Sequence, residues 1–381
     1  MDFDVSWLLL GLPLAFVLGW LASRLDLRQL RLENRQTPKA YFKGLNFLLN
    51  EQQDQAIDAF IEAVQSDPDT SELHFALGNL FRRRGEYDRA VRVHEHLLAR
   101  GDLARRDRDR AQHALALDFL KAGLLDRAEE ALRKLEGTEF EAPARLALLA
   151  IYERSRDWAQ AADVAQRLES SGQGSFGGRQ AHYLCEQAAS CPAEGDGKQA
   201  LGLLQEAHRI APDAARPLVD LASWQLAHAD AQGAFATLVD LKQRNPASFP
   251  LAAPLLVQAA QASGRDAEAL ALLKAHYETS ASLDVLEALA QLDRTEGAAR
   301  QWYVRHLERE SSLVAAARWI AGEKLEHEQF HPLVQRALDQ AVRPLTRYRC
   351  AACGFEARQH FWQCPGCQAW DSYPARRTEE L

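Results

Sequence analysis

Cys350 and Cys353, then Cys364 and Cys367, form two Cys-x-x-Cys pairs in the last 32 residues, with ten residues between the pairs. Two intervening residues let both sulfurs of a pair turn toward one point, and two such pairs make a tetrahedral thiolate site for a single ion. Gly354 follows the first pair, where a positive φ comes easily only to glycine. Pro365-Gly366 lies inside the second pair as a turn dipeptide. Tyr348, Phe355, Phe361, Trp362 and Trp370 flank the ligands and are expected to shield the cluster from water. Zinc and iron both accept four sulfurs. Protein fills every position, so the expected role is structural. So short a segment cannot build an adequate apolar core, and the ion must supply the missing stability. Cys185 and Cys191 lie in a helical pattern with no second pair and read as buried helix thiols. His360, between the pairs, would be a fifth ligand and reads as a surface residue.

At the other end, Val5 to Ser23 carry no charge and are mostly apolar, about the length a helix needs to cross a bilayer. Trp7 and Trp20 fall near its two ends, where indoles favour the headgroup level. Asp2 and Asp4 precede the run, and Arg24, Arg28, Arg31, Arg35, Lys39 and Lys43 follow it against only Asp26 and Glu33. This asymmetry predicts a single-pass anchor over residues 1–23, with everything after it in the cytoplasm. A secretory signal would begin basic and end at a small-residue cleavage motif, and this run does neither. Thiolates that hold metal also belong in a reducing compartment.

What lies between must carry the module. Gly44, Phe47 and Ala56 recur 34 residues later as Gly78, Phe81 and Ala90, and Ala200 and Pro212 recur 34 later as Ala234 and Pro246. The same alanine recurs at Ala128, Ala161 and Ala269 with drifting spacing. A 34-residue period is that of the tetratricopeptide repeat, a pair of antiparallel helices. Small residues on the first helix (Gly44, Gly78, Ala116, Ala222) and on the second (Ala56, Ala63, Ala90, Ala128, Ala161, Ala200, Ala207, Ala234) are expected at the close crossings. Turns are expected at Gly85, Gly123 and Gly264, and stops at Pro68, Pro212 and Pro246. The chain therefore reads as all-α: an anchor (1–23), a basic juxtamembrane segment (24–36), about seven repeats (37–278), degenerate helical repeats (279–345) and a metal module (346–381). Trp302, Tyr303, Trp319 and Ile320 are buried candidates in the degenerate part. Stacked pairs make a superhelix that binds peptides and proteins. The metal module is expected to dock on the last helices, because Trp362 and Trp370 need cover.

Several tempting features are bland. Arg82-Arg83-Arg84 and the run from Arg105 to Arg110 read as solvated helix ends in a chain of net charge −8, which argues against nucleic acid. His94, His96 and His113 read as ordinary helix residues. The Gly- and Ser-rich stretch 170–178 lacks the lysine and preceding strand of a phosphate loop. No nucleophile–base set or carboxylate pair stands out, so no enzyme is expected.

The combination of anchor, repeats and four-cysteine tip resembles the lipopolysaccharide assembly protein B family of Gram-negative bacteria. The likeness is carried by Gly44–Ala56, Gly78–Gly85, and Tyr348–Phe355 with Trp362–Trp370. It implies a rubredoxin-like (zinc-ribbon) tip whose iron or zinc ligands are Cys350, Cys353, Cys364 and Cys367. It implies a non-enzymatic inner-membrane adaptor that restrains lipopolysaccharide synthesis by promoting degradation of the lipid A enzyme LpxC by the protease FtsH. Inner-membrane signalling proteins and other lipopolysaccharide-assembly proteins are the further partners implied. The chain departs from ordinary rubredoxins in its ten-residue gap and in Gln368, which stands where glycine is expected after the last cysteine. Both departures argue against electron transfer. The alternative reading is an iron-dependent redox or iron-sensing scaffold, which a reversible iron couple that alters client binding would favour.

Overall fold

A computed structural model describes residues 15–20, 39–50, 52–66, 70–191, 197–323 and 328–381. Apart from the helical segment 15–20, the expected anchor and juxtamembrane segment lie outside the described residues, as does Pro68. Among the described residues no helix is long and apolar enough to cross a membrane. The chain divides into two compact units, residues 1–151 and 152–381.

In the first unit, helices Lys39–Leu49 and Gln53–Ser66, Ser71–Arg84 and Tyr87–Ala99, and Arg105–Ala122 and Leu125–Arg133 are joined pairwise by short turns. In the second and third pairs the turn forms where glycine permits a left-handed residue. Gly85 has φ 83° and Gly123 φ 79°. The following amides, Glu86 and Leu124, bond back to the carbonyls of Phe81 and Phe119, each at 2.9 Å. That is the helix-ending motif glycine favours, and it satisfies carbonyls that have no helical partner. The crossings form where the repeat predicts them, with Ala56, Ala90, Ala116 and Ala128 fully buried. A Cβ on Gly44 would come within 2.9 Å of the Phe60 ring, and one on Gly78 within 2.5 Å of the His94 ring.

Two expectations fail in this unit. Arg82 is not a solvated helix end. Its Nη1 donates to Asp118 Oδ1 at 2.9 Å and to the Ala114 carbonyl at 3.1 Å. Nor is His94 an ordinary helix residue. It is fully buried, with Nδ1 2.5 Å from Asp118 Oδ2. The repeat places all three groups at one inter-repeat seam, where the Asp118 carboxylate takes both partners. A run of three arginines in the sequence does not reveal which one turns inward.

The second unit continues the pattern with helices Trp158–Ser170, Gly177–Ser190, Gly197–Ile210, Ala215–Ala227, Ala231–Arg244, Phe249–Ser263 and Asp266–Thr279. Ala161, Ala207, Ala222, Ala234 and Ala269 are fully buried. Gly264 closes its turn at φ 70°, whereas Arg156 and Ala229 adopt φ 58° and 60° at equivalent turns without glycine. Pro246 opens a short 3-10 turn that runs directly into helix Phe249–Ser263. Phe235, Phe249 and Tyr277 are fully buried in the largest core, each contributing about 1.5–3 kcal/mol by removal from water. Helices Leu283–Leu292, Ala298–Arg309, Leu313–Ala321 and His331–Val342 follow. Trp302 is buried, while Tyr303, Trp319 and Ile320 are half-buried. Beyond them a two-stranded sheet pairs β1 (Tyr348–Arg349) antiparallel with β2 (Glu356–Ala357), Tyr348 opposite Ala357.

Candidate metal centre

The hairpin β1–β2 carries the first cysteine pair in its connection. Gly354 N–H bonds to the Cys350 carbonyl and Cys350 N–H to the Phe355 carbonyl, each at 2.9 Å, with Gly354 at φ 78°. The second pair repeats this knuckle. Gln368 N–H bonds to the Cys364 carbonyl at 2.8 Å and Cys364 N–H to the Ala369 carbonyl at 2.9 Å. Gln368 stands at φ 62°, so it takes the left-handed role that Gly354 plays in the first knuckle. The departure from glycine at Gln368 is thus tolerated as local backbone strain of about 1–3 kcal/mol.

The two knuckles bring together the four expected sulfurs, all within 4.8 Å of one another. Cys350 Sγ lies 3.8 Å from Cys367 Sγ, and Cys353 Sγ 3.7 Å from Cys364 Sγ. Sulfurs about 2.3 Å from a central ion stand about 3.8 Å apart at the corners of a tetrahedron, so the residues present fit a tetrathiolate ion. Cys350 and Cys364 are buried, while Cys353 and Cys367 face solvent. The Cys350 thiol is burdened by burial, but the Ser372 hydroxyl and the amides of Cys353 and Ala352 pull it down to about 6. The Phe355 amide favours a Cys353 thiolate, yet burial and three neighbouring sulfurs push that thiol up to about 12. Four sulfurs this close cannot all ionise without a cation among them.

The flanking aromatics divide their work differently from expectation. Tyr348 and Tyr373 form the small apolar core with Cys350 and Cys364, supported by Phe361, Ala357 and Leu251. Tyr373 was missed in the sequence because it lies outside the cysteine pairs. Its hydroxyl donates to the Phe355 carbonyl at 3.2 Å and sits 3.9 Å from Cys364 Sγ. Phe355 is 44% exposed and shields little. His360, expected at the surface, is half-buried. Its Nε2 meets the Tyr373 carbonyl at 3.1 Å, its ring packs edge-on against Tyr348 and Trp362, and burial lowers its pKa.

Trp362 and Trp370 turn to the helices, but not only to the last ones. Trp370 stacks on His182 at 4.6 Å, meets Trp158 and Tyr183 edge-on at 6.0 Å each, and donates its indole N–H to Glu153 at 3.0 Å. Tyr183 also bonds to Glu153. The other side of the module reaches helices Leu283–Leu292 and Leu313–Ala321. Glu379 accepts from the Leu313 and Val314 amides and from the Ser312 hydroxyl, and Glu380 accepts from the Leu283 amide. These carboxylates satisfy first-turn amides that a helix leaves without partners. Docking therefore spans the second unit from Glu153 to Val314. The sequence hides this because neither contact set is local.

Residues 348–373 match a profile described as a rubredoxin metal binding domain, and residues 73–110 match the tetratricopeptide repeat. The chain is 32% identical to lipopolysaccharide assembly protein B of Escherichia coli strain K12, over 98% of this chain and 99% of that one. It belongs to the lipopolysaccharide assembly protein B family. A lipopolysaccharide assembly protein B from Haemophilus influenzae is 26% identical over 99% of each chain. A tetratricopeptide repeat protein of known structure from Parabacteroides merdae is 13% identical, covering 67% of this chain and 97% of its own, with a TM-score of 0.32. Within the lipopolysaccharide assembly protein B family, this member carries its four sulfurs on a tip clasped between helices far apart in sequence.

Proposed function

We propose that this chain is a non-enzymatic adaptor in lipopolysaccharide assembly, held at the inner membrane by residues 1–23 with its helical arm in the cytoplasm. The observation that carries the reading is the similarity, over nearly the whole length of each chain, to relatives named for lipopolysaccharide assembly. In this reading the repeats hold protein clients, LpxC and the protease FtsH among them, and proximity speeds LpxC degradation. Confinement to one membrane raises the effective concentration of partners by orders of magnitude without new contacts.

In the same reading Cys350, Cys353, Cys364 and Cys367 hold one zinc or iron ion. The bound ion supplies charge neutralisation and a cross-link between the two knuckles. The chain's own groups do the rest: Tyr348 and Tyr373 exclude water from Cys350 and Cys364, and Trp370, Arg377, Glu379 and Glu380 fix the tip to the helices.

The test is LpxC lifetime in cells depleted of this protein and complemented with the full chain or with a form lacking residues 1–23. Depletion is expected to lengthen LpxC lifetime, and only the full chain to restore it. An unchanged lifetime on depletion removes the proteolytic role. Full restoration by the shortened form removes tethering.

A further inference from the structure

The four sulfurs of the tip differ in what can bond to them. Cys353 and Cys367 face solvent, where water supplies hydrogen bonds to a thiolate, while Cys350 and Cys364 are 1% and 0% exposed. Amides of the same knuckle reach each buried sulfur: Ala352 and Cys353 at Cys350, Gly366 and Cys367 at Cys364. One hydroxyl also lies beside each of them. Ser372 Oγ is 3.3 Å from Cys350 Sγ, and Tyr373 Oη is 3.9 Å from Cys364 Sγ. The two hydroxyls cross between the knuckles. Ser372 also bonds to the Ala369 carbonyl of the second knuckle at 3.1 Å, and Tyr373 to the Phe355 carbonyl of the first at 3.2 Å. Ser372 makes the closer approach to sulfur.

A serine hydroxyl has one proton to give, two lone pairs, and a free rotation that chooses among its neighbours. As a thiol, Cys350 donates its own proton to Ser372 Oγ, and the hydroxyl proton goes to Ala369. As a metal ligand, Cys350 is a thiolate and has no proton to offer. The contact then survives only if Ser372 turns its proton from the carbonyl to the sulfur. That turn strands nothing, because the Ala369 carbonyl already accepts the Cys364 N–H at 2.9 Å. The backbone holds the hydroxyl in range. The Ser372 carbonyl accepts the Ala351 N–H at 2.7 Å, and the Asp371 N–H bonds to the Trp362 carbonyl at 2.9 Å. A hydrogen bond to an ionised acceptor is roughly twice as strong as a neutral one, and burial strengthens it further.

We infer that Ser372 supports the metal centre through Cys350: its hydroxyl donates to the Cys350 thiolate, strengthens retention of the ion and draws electron density from that sulfur. The inference rests on the reading that the four sulfurs hold one ion. Cobalt(II) is the probe, because its thiolate charge-transfer bands report on the sulfurs. Titration of the purified full chain in competition with a chromophoric chelator gives the affinity for cobalt and for zinc. Ser372 is half-buried, and Ser372→Ala removes one oxygen while leaving both flanking backbone bonds in place. That variant is expected to bind either ion about 10–100-fold more weakly, the common cost of losing a partner of a metal ligand. Its sulfur-to-cobalt band is expected to move to longer wavelength, because a thiolate that has lost a donor gives up charge more easily. Ser372→Thr keeps the hydroxyl and is expected to restore both the band and the affinity of the parent. An unchanged affinity and band in Ser372→Ala overturn the inference. So does weaker binding with an unmoved band, which would assign the loss to the bond with Ala369. A parent chain that takes up no cobalt removes the four-sulfur reading and the inference together, whereas the other two outcomes remove the inference alone.

Discussion

Arg377 grips Asp284 across 93 residues of chain, with Nε 3.1 Å from both carboxylate oxygens and Nη2 2.5 Å from Oδ1. The Tyr348 hydroxyl donates to the same carboxylate at 3.0 Å, and the guanidinium lies over the Tyr348 ring at 4.2 Å. One buried carboxylate thus holds the first strand of the metal module and the tail that follows it. Asp284→Ala is expected to cost about 3 kcal/mol, the low end of the range for breaking a buried pair, because Arg377 keeps some contact with water. Limited proteolysis checks this, with cleavage near residue 346 expected to become faster. An unchanged digestion pattern would show that docking does not depend on the pair.

Cys350→Ser and Cys364→Ser remove the two buried sulfurs of the cluster. Each is expected to abolish stoichiometric metal and unfold the tip while the helices persist. Metal analysis beside far-ultraviolet circular dichroism reads both effects. Stoichiometric metal in both variants would disprove the four-sulfur assignment.

Gly78 leaves no room for a side chain against His94. Gly78→Leu is expected to force the two helices of its repeat apart and cost about 1–3 kcal/mol through overpacking. A denaturant midpoint equal to the parent's would argue against so close a crossing.

His276 and His306 are buried, and burial is the main cause of their lowered pKa. For His306, Glu310 and Glu379 pull upward against it, while Arg309 adds to it. The Tyr277 hydroxyl shares a hydrogen bond with His306 Nδ1 at 2.7 Å. The unfolded chain takes up protons at these rings at a higher pH than the folded chain does. Their contribution to stability is therefore complete above about pH 6.5 and is lost as pH falls through the folded values. Melting temperature is expected to be lower at pH 5.5 than at 7.5, and His306→Gln to reduce that difference. A pH-independent melt for the parent would refute the assignment.

The recurrence of Gly44, Gly78, Ala56 and Ala90 already specifies where helices cross. Only a residue without a bulky side chain fits there, and the restriction repeats with the repeat. The cysteine spacing likewise specifies one cluster, because both knuckles are local and need only two intervening residues and a left-handed turn. Arg82, His94 and Asp118 carried no such local mark. Charge and ring type are visible in a sequence, but which rotamer turns inward depends on the neighbouring repeat.

Period and spacing alone were enough for helix pairs and a four-sulfur tip, since each follows from interactions a few residues long. The seat of that tip was decided by tertiary structure. Trp370 finds Glu153, Arg377 finds Asp284 and Glu379 finds the amides of Leu313 and Val314 only after the intervening helices have stacked. Such pairings join groups dozens to hundreds of residues apart, and their partners are set by how many repeats lie between and at what angle each adds to the last.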